Sequence, residues 1–489
     1  MIRPLSTFSL SLTEVAGLVG VEFDSELEIT GVANKDSDVE PGDLFLAIPG
    51  AKVHGARFAE AAALRGAVAV LTDSQGAAMI KNTPTIVVQD VRSASAIIAS
   101  ALYRDPTRDL HAIGITGTNG KTTVTTLLNQ IFLAAGRDAG LIGTVETRIG
   151  NEVIPSSRTT PEAPDLQSLS AVMRERHMRH LVMEVSSHAI SLARIKGAHF
   201  SIVGFTNLSQ DHLDFHGDME SYFATKSKLF TFEYADSAFI NIDSEYGKRL
   251  AADCEIPVVT ISRSEKNATW HYVDLQAGAH LSIRGVEGIL IEAQTGLLGS
   301  YNLDNLLMAI AIAHASGVDP IELATIIPTL TGAPGRLEQV ALGQDFIALV
   351  DYAHSPDAVK NVLDAAREFT TGKVIAVLGC GGDRDKGKRP LMGRALSEGS
   401  STAIFTSDNP RSEDPMVILE EMTQGLDVSG GSKIIEDRNE AIKYAVSLAQ
   451  AGDTVLILGK GHESGQEVNG VITDFDDRLQ LARAIEDRK

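Results

Sequence analysis

Cysteine is nearly absent, with Cys254 and Cys380 the only two in 489 residues. They show no metal-ligand or redox spacing, and a long chain without a secretion signal rarely depends on a disulfide. A disulfide scaffold and a cysteine-based metal or redox centre are therefore excluded, and both residues are expected to be buried thiols. Basic residues are also in short supply: 43 Lys and Arg face 64 Asp and Glu, a formal charge of -21. That balance opposes general affinity for nucleic acid or an anionic membrane, so an anionic ligand needs a local basic pocket. No segment approaches the roughly 20 apolar residues needed to cross a bilayer, and no apolar run follows a basic start at the N-terminus. A soluble cytoplasmic protein is expected, with no nucleic-acid partner and no stable membrane insertion. Internal repeats, heptads and low-complexity tracts are missing as well.

What is present is an ordered α/β pattern, since 44% of residues are hydrophobic and fall in alternating strand-like and helix-like segments. At about 150 residues per domain, the length predicts about three domains. Residues 1–107 carry short apolar segments with turn signals at Pro41-Gly42 and Pro49-Gly50, closing on Asp105-Pro106. Residues 108–335 end in GAPGR (Gly332 to Arg336), a Gly/Pro-rich stretch suited to a linker, and residues 336–489 alternate strands and helices again.

The middle block opens on GITGTNGKTT (Gly114 to Thr123), a glycine-rich turn between a short apolar strand at His111 to Ile115 and an amphipathic helix. Val124, Leu127, Leu128, Ile131 and Phe132 recur at helical spacing, and Gly136 ends the pattern. Amides at such a helix start point outward unpaired, Lys121 can reach outer phosphates, and the Thr122 hydroxyl can ligate magnesium. The spacing is offset from the common GxxxxGKS/T loop, because Ile115 stands where its first glycine belongs.

Polar groups repeatedly follow apolar strands. LVMEVSSH releases Glu184, Ser186 and His188; SIVGFTNLSQDHLDFHG releases Asn207, Asp211, His212 and Asp214; FIALVDYAHS releases Asp351 and His354. KVIAVLGCGGDRDKGKR, AIFTSDNPR and DTVLILGKGHE repeat the arrangement in the last block. Parallel sheets bind ligands at the carboxyl ends of their strands, so these groups are expected to converge on crevices facing each other between domains. Magnesium wants few hard oxygen ligands from protein, and Thr122 with Glu184 supplies that minimum. Taken singly, Glu184 or His212 reads as an ordinary hydrogen-bonding residue, and DRDKGKR as either a solvated loop or an anion-binding turn.

TGTNGKTT, MEVSSH, TNLSQDHLDFHG, YFATKSKLF, GSYNLDN, GAPGRLE and DYAHSPDA, in this order, resemble the motif series of the Mur ligases. GCGGDRDKGKRPLMG, DNPR (Asp408 to Arg411) and GKGHE (Gly459 to Glu463) resemble the branch that adds the third residue of the peptidoglycan stem peptide. The resemblance implies three domains: an N-terminal one for the UDP part of the substrate, a central P-loop ATPase with a mainly parallel sheet, and a C-terminal Rossmann-like domain for the incoming amino acid. It implies a cytoplasmic, monomeric bacterial enzyme of peptidoglycan synthesis. Its substrates are ATP, UDP-N-acetylmuramoyl-L-Ala-D-Glu and meso-diaminopimelate, and the reaction passes through an acyl phosphate. L-Lysine or L-ornithine addition, a folylpolyglutamate synthetase-like ligase and a non-catalytic nucleotide-binding regulator stand as rivals.

Carried over by the resemblance, Gly117, Thr118, Asn119, Gly120, Lys121, Thr122 and Thr123 hold the ATP phosphates, and Thr122 and Glu184 ligate a first magnesium. His212 and Lys226 serve a second ion, with Lys226 as a carbamate; periodicity alone makes Lys226 a surface lysine. Asn302, Asn305, Arg336 and Asp351 match nucleotide positions, the latter two where a linker lets the last domain swing. Ser37, Thr159, Thr160, Ser186 and Arg194 match contacts to the nucleotide-peptide, although Asp38 and Leu192 depart from the family pattern. Arg384, Asp408, Asn409, Pro410, Arg411, Gly459 and Glu463 match contacts to the amino acid. A planar guanidinium at Arg411 suits the second carboxylate that distinguishes diaminopimelate from lysine, and Glu463 suits an ammonium.

Overall fold

The structure, a computed structural model, describes every residue except Thr7, Ala51, Ser157, residues 276–279 and Lys489, and excludes the side chain of Asp214. Two compact units emerge. The first comprises Met1–Asp274, Ser282–Glu292 and Asp304–Ile327; the second comprises Leu275–Leu281, Ala293–Leu303 and Pro328–Lys489.

Within the first unit, strands Gly31–Ala33, Asp43–Leu46, Ala69–Thr72 and Thr85–Val87 form an all-parallel four-stranded sheet. The larger, eleven-stranded sheet has a parallel body in which His111–Thr116 lies between His180–Glu184 and Phe200–Phe205. This central strand is almost wholly buried and apolar from Ala112 to Ile115, as expected of a parallel sheet covered on both faces. Helix Lys121–Ala134 covers it with Val124, Leu127, Leu128, Ile131 and Phe132, all fully buried. Each of these side chains contributes about 1.5–3 kcal/mol by leaving water. Gly136 follows with a φ of +67°, a backbone conformation that ends the helix at little cost.

In the second unit, Ile347–Asp351, Thr454–Leu458, Val374–Leu378, Thr402–Phe405 and Lys433–Ile434 run parallel in that spatial order, with Glu338–Gln339 antiparallel at one edge. Alternate residues feed two cores. Leu349, Ala376, Leu378, Leu456 and Phe405 face one, while Val350, Ile375, Val377, Ile457 and Ile404 face the other. This is the expected α/β class, with mainly parallel sheets. Among the described residues, no helix is long and apolar enough to cross a membrane. Cys380 is buried as expected, but Cys254 is only partly so: it ends helix Glu245–Asp253, and its thiol reaches the Phe230 carbonyl at 3.7 Å.

His180 opens its strand buried, with its ring stacked on Phe132 at 4.1 Å and edge-on to His111 at 5.6 Å. Burial, then the neighbouring His111, lowers its pKa to about 4. Because the folded pKa lies below the unfolded one, the folded state takes up fewer protons as pH falls from neutrality. This histidine's contribution is intact near pH 7 and erodes as pH drops towards 4, by about 2 kcal/mol at pH 5. Urea unfolding of the first unit at pH 7 and pH 5 should show that extra loss in the wild type and not in His180→Phe; parallel pH slopes would refute it.

Candidate functional site

The phosphate loop sits where the central strand turns into helix Lys121–Ala134. Gly120, at φ +87°, packs so closely on Asn305 that a Cβ would collide with its amide, and Gly117 packs likewise on Thr206. The loop is braced from the next strand. Asn119 N–H donates to Asn207 Oδ1 at 3.0 Å, Thr206 Oγ1 donates to the Asn119 carbonyl at 2.6 Å, and Thr118 N–H donates to the Asn207 carbonyl at 2.9 Å. Lys121 folds over this frame, its ammonium donating to the carbonyls of Gly117 (2.9 Å) and Thr118 (2.8 Å). The helix start carries no side-chain cap, so its amides remain aimed at the loop.

Glu184, the last residue of its strand and 1% exposed, is the hub of the site. Its carboxylate accepts from Thr122 Oγ1 (3.0 Å), Thr144 N–H (2.7 Å) and Thr144 Oγ1 (3.1 Å). Its carbonyl accepts from Thr160 Oγ1 at 2.8 Å, which in turn accepts the Ser186 N–H at 3.1 Å. Arg194 donates to the Thr160 carbonyl at 3.3 Å, and the Thr144 and Thr159 hydroxyls lie within hydrogen-bond distance of each other at 3.0 Å. Sequence residues spread over Thr122, Thr159, Thr160, Glu184, Ser186 and Arg194 are thus one connected cluster. Hydroxyls and a carboxylate are hard oxygen donors, the set that fits magnesium. Among the described residues no group of three or more His, Cys, Asp or Glu is placed to hold a metal ion. Ser37 stands apart on an exposed turn, its hydroxyl beside Asp38 at 3.4 Å while Asp38 pairs with the Met1 amine.

Lys226 overturns the surface placement that periodicity suggests, for it is 1% exposed. Its Nζ donates to the Gly117 carbonyl at 2.9 Å and lies 4.8 Å from the centre of the Tyr222 ring, one helical turn earlier. Burial, reinforced by Lys121, drives its pKa well below the usual lysine range against the pull of Asp211. A neutral amine is the form that attacks carbon dioxide. His212 is half-exposed at φ +53° and meets His188 edge-on at 4.8 Å, in an aromatic group with Phe215, His216 and Tyr222.

The second unit gathers the other residues. Asp351 ends its strand and accepts from the N–H groups of Leu337 and Ala353, both at 2.8 Å. Burial raises its carboxyl pKa, with Arg336 opposing. Arg336 covers the Tyr352 ring. Asn302 keeps its Oδ1 buried without a hydrogen-bond partner among the described residues, as suits a ligand donor. The chain's unit boundary passes through helix Ser300–Ala315 between Asn302 and Asn305, so these two belong to different units.

The DNPR turn follows strand Thr402–Phe405 and is clasped by hairpin Gly465–Val468/Val471–Asp474. Arg411 exchanges backbone hydrogen bonds with the hairpin, donating to the Glu467 carbonyl and accepting from Asn469 N–H. Its Nη1 donates to the Gly382 carbonyl at 2.7 Å, and its Nε lies 3.5 Å from Glu467. Pro410 closes against Gly382, and Gly459, at φ +112°, leaves room for the Asp408 carboxylate. Asn409 Nδ2 donates to Glu463 Oε2 at 2.9 Å. In DRDKGKR the residues through Lys388, Arg384 included, are exposed, whereas Arg389 is 1% exposed and paired with Glu413 (2.8 Å) and Glu421 (2.6 Å). The tract is therefore a solvated loop with one inward anchor.

Sequence reading overlooked Thr144, Tyr222 and Lys460. Thr144 follows a strand without any motif. Tyr222 precedes Lys226 by four residues, a helical spacing that could have exposed it. Lys460, between two glycines after a fully buried strand, is 0% exposed.

Family models match in chain order: "Mur ligase family, catalytic domain" over residues 28–103, "Mur ligase middle domain" over 115–313 and "Mur ligase, glutamate ligase domain" over 335–461. The chain is 48% identical to a UDP-N-acetylmuramoyl-L-alanyl-D-glutamate--2,6-diaminopimelate ligase of Streptomyces coelicolor, covering 99% of this chain and 98% of that one. A chain of the same name from Listeria innocua is 39% identical, with 95% and 96% covered. A solved structure of a ligase of that name superposes with a TM-score of 0.72 at 34% identity, covering 98% and 99%. A Mycobacterium tuberculosis folylpolyglutamate synthase shares the fold at TM-score 0.59 and 18% identity, over 75% of this chain and 92% of that one.

Proposed function

Because the chain belongs to the Mur ligase family of ATP-dependent acid–amino-acid ligases, we propose that it joins meso-diaminopimelate to the D-Glu γ-carboxylate of UDP-N-acetylmuramoyl-L-Ala-D-Glu. The observation that carries this reading is the clasped DNPR turn, which presents the Arg411 guanidinium and the Glu463 carboxylate beyond the ends of the two strands that flank Val374–Leu378. One suits a distal carboxylate and the other a distal ammonium, the two groups that diaminopimelate offers together.

A γ-carboxylate oxygen attacks the γ-phosphorus of ATP, the bond to ADP breaks, and an acyl phosphate forms. The amine then attacks the acyl carbon, the C–N bond forms, the amine loses a proton and inorganic phosphate leaves. Lys121 and the loop amides neutralise the transferring phosphoryl group, and the Glu184 cluster orients the oxygens around it. Thr122 and Glu184 would hold one magnesium, and His212 with a carbamate on Lys226 a second; bound there, magnesium supplies Lewis-acid charge neutralisation between two anions. The carbamate arises when the Lys226 amine, in its neutral form, attacks carbon dioxide and sheds a proton, converting a buried nitrogen base into an anionic oxygen donor. Thr159, Thr160, Ser186, Arg194 and Ser37 bind the nucleotide-peptide; Asn302, Asn305, Arg336 and Asp351 bind ATP; Arg384, Asp408 to Arg411, Gly459 and Glu463 bind the amino acid. We place domain joins after residues 107 and 335, and read the protein as a cytoplasmic monomer.

The test is phosphate release from ATP and magnesium with the UDP-dipeptide, comparing meso-diaminopimelate with L-lysine and L-ornithine. Release with meso-diaminopimelate alone, and a tripeptide product by mass, is expected. Preference for lysine or ornithine would remove the Arg411 clamp and keep the ligase.

A further inference from the structure

Lys460 has no assigned part, yet among the described residues it is the one lysine of the second unit that is completely buried: its side chain is 0% exposed. Its three ammonium protons meet three acceptors, the Gly465 carbonyl at 2.6 Å, Asn409 Oδ1 at 3.2 Å and Glu463 Oε2 at 3.4 Å. Asn409 closes the figure, because its Nδ2 donates to the same Glu463 oxygen at 2.9 Å while its Oδ1 also accepts the Glu467 N–H at 3.0 Å. Burying an ammonium is costly unless it is fully paired, and an apolar side chain of similar size would serve packing alone at least as well. A charge kept here therefore has work other than packing. The triangle commits Glu463 Oε2 to the protein, while the Glu463 side chain as a whole remains 37% exposed.

We propose that Lys460 is a positioning residue for amino-acid selection: by locking Glu463 and Asn409 together, it sets the direction in which the Glu463 carboxylate meets the distal ammonium of the incoming diamino acid. It acts through Glu463 and touches no substrate. This rests on the ligase reading above and deepens it. The partners come from two separate parts of the chain, Asn409 in the turn after Thr402–Phe405 and Glu463 and Gly465 where the turn after Thr454–Leu458 enters the hairpin, so one buried cation ties the two together.

Lys460→Met keeps length and removes charge. Steady-state kinetics should show KM for meso-diaminopimelate raised about 10- to 100-fold, the worth of hydrogen bonds to charged groups, with KM for ATP and for the UDP-dipeptide within about twofold. In a Glu463→Gln background the same change should have little further effect on that KM, since its route is gone. Additive effects, or a rise in all three KM values together, would overturn the proposal and leave Lys460 a packing residue. Should Lys460→Met fail to fold, the wild type still decides: the 15N resonance of Lys460 Nζ should shift on saturation with meso-diaminopimelate and stay put with ATP, and an unmoved resonance overturns it. Wild-type turnover with lysine in place of meso-diaminopimelate would defeat the substrate reading, while a raised KM for lysine in Lys460→Met would still uphold the positioning role.

Discussion

Lys226→Met should lower ligase turnover by about 10²- to 10³-fold, the usual loss when a group that stabilises developing charge is removed, while leaving the fold intact. Methionine matches the buried volume and tolerates the contact with Tyr222, so a stability loss is not the expected route. The side chain lies among Gly117, Thr116 and Tyr222 with nowhere to reach solvent, and burial beside Lys121 disfavours its charge. A lysine whose charge is disfavoured by burial at the phosphate loop is poorly suited to serve as a cation. It is well placed to take up carbon dioxide. Incubating the wild type with 13C-bicarbonate should give a carbamate carbon signal that Lys226→Met lacks, and removing carbon dioxide should lower wild-type turnover only. Full activity in Lys226→Met would end the carbamate reading, whereas lost activity without a carbamate signal would leave Lys226 a role as an amine.

The second large effect concerns the pair Arg438–Asp477, both 0% exposed. Arg438 donates to both Asp477 oxygens at 2.7 Å and to the carbonyls of Ser407 (3.2 Å) and Leu458 (2.9 Å). Those carbonyls immediately precede Asp408 and Gly459. Asp477→Ala strands a guanidinium in the core and should destabilise the second unit by about 3–5 kcal/mol in urea titration. Arg438→Met/Asp477→Leu removes both charges and should recover most of that stability. The double variant should nonetheless bind the amino acid more weakly, because no group then gathers the two carbonyls. A loss below about 1 kcal/mol in Asp477→Ala would show that water reaches the pair.

The parts of this molecule written in local spacing were legible in advance. Val124 to Phe132 at helical spacing, the glycines around Lys121, and the polar residues released after apolar strands depend only on neighbours in sequence, and the structure puts each where its period requires. Residues whose environment comes from far along the chain were not. Lys226 is buried by a carbonyl 109 residues away, and Lys460 by Asn409, 51 residues away; a lysine code letter carries no trace of either. Cys254 failed for the opposite reason, since a helix end left open what composition would have covered. Asn302 and Asn305 share a helical face that sequence treats as one element, but the unit boundary falls between them.

The DNPR turn is held by Gly382, Glu463, Glu467 and Lys460, and Arg389 beside it by Glu413 and Glu421, all within the second unit. If this turn selects the amino acid as proposed, the selecting contacts form a self-contained cassette. Substitutions around that single turn should then change the diamino acid accepted while leaving every contact of the phosphate loop in place.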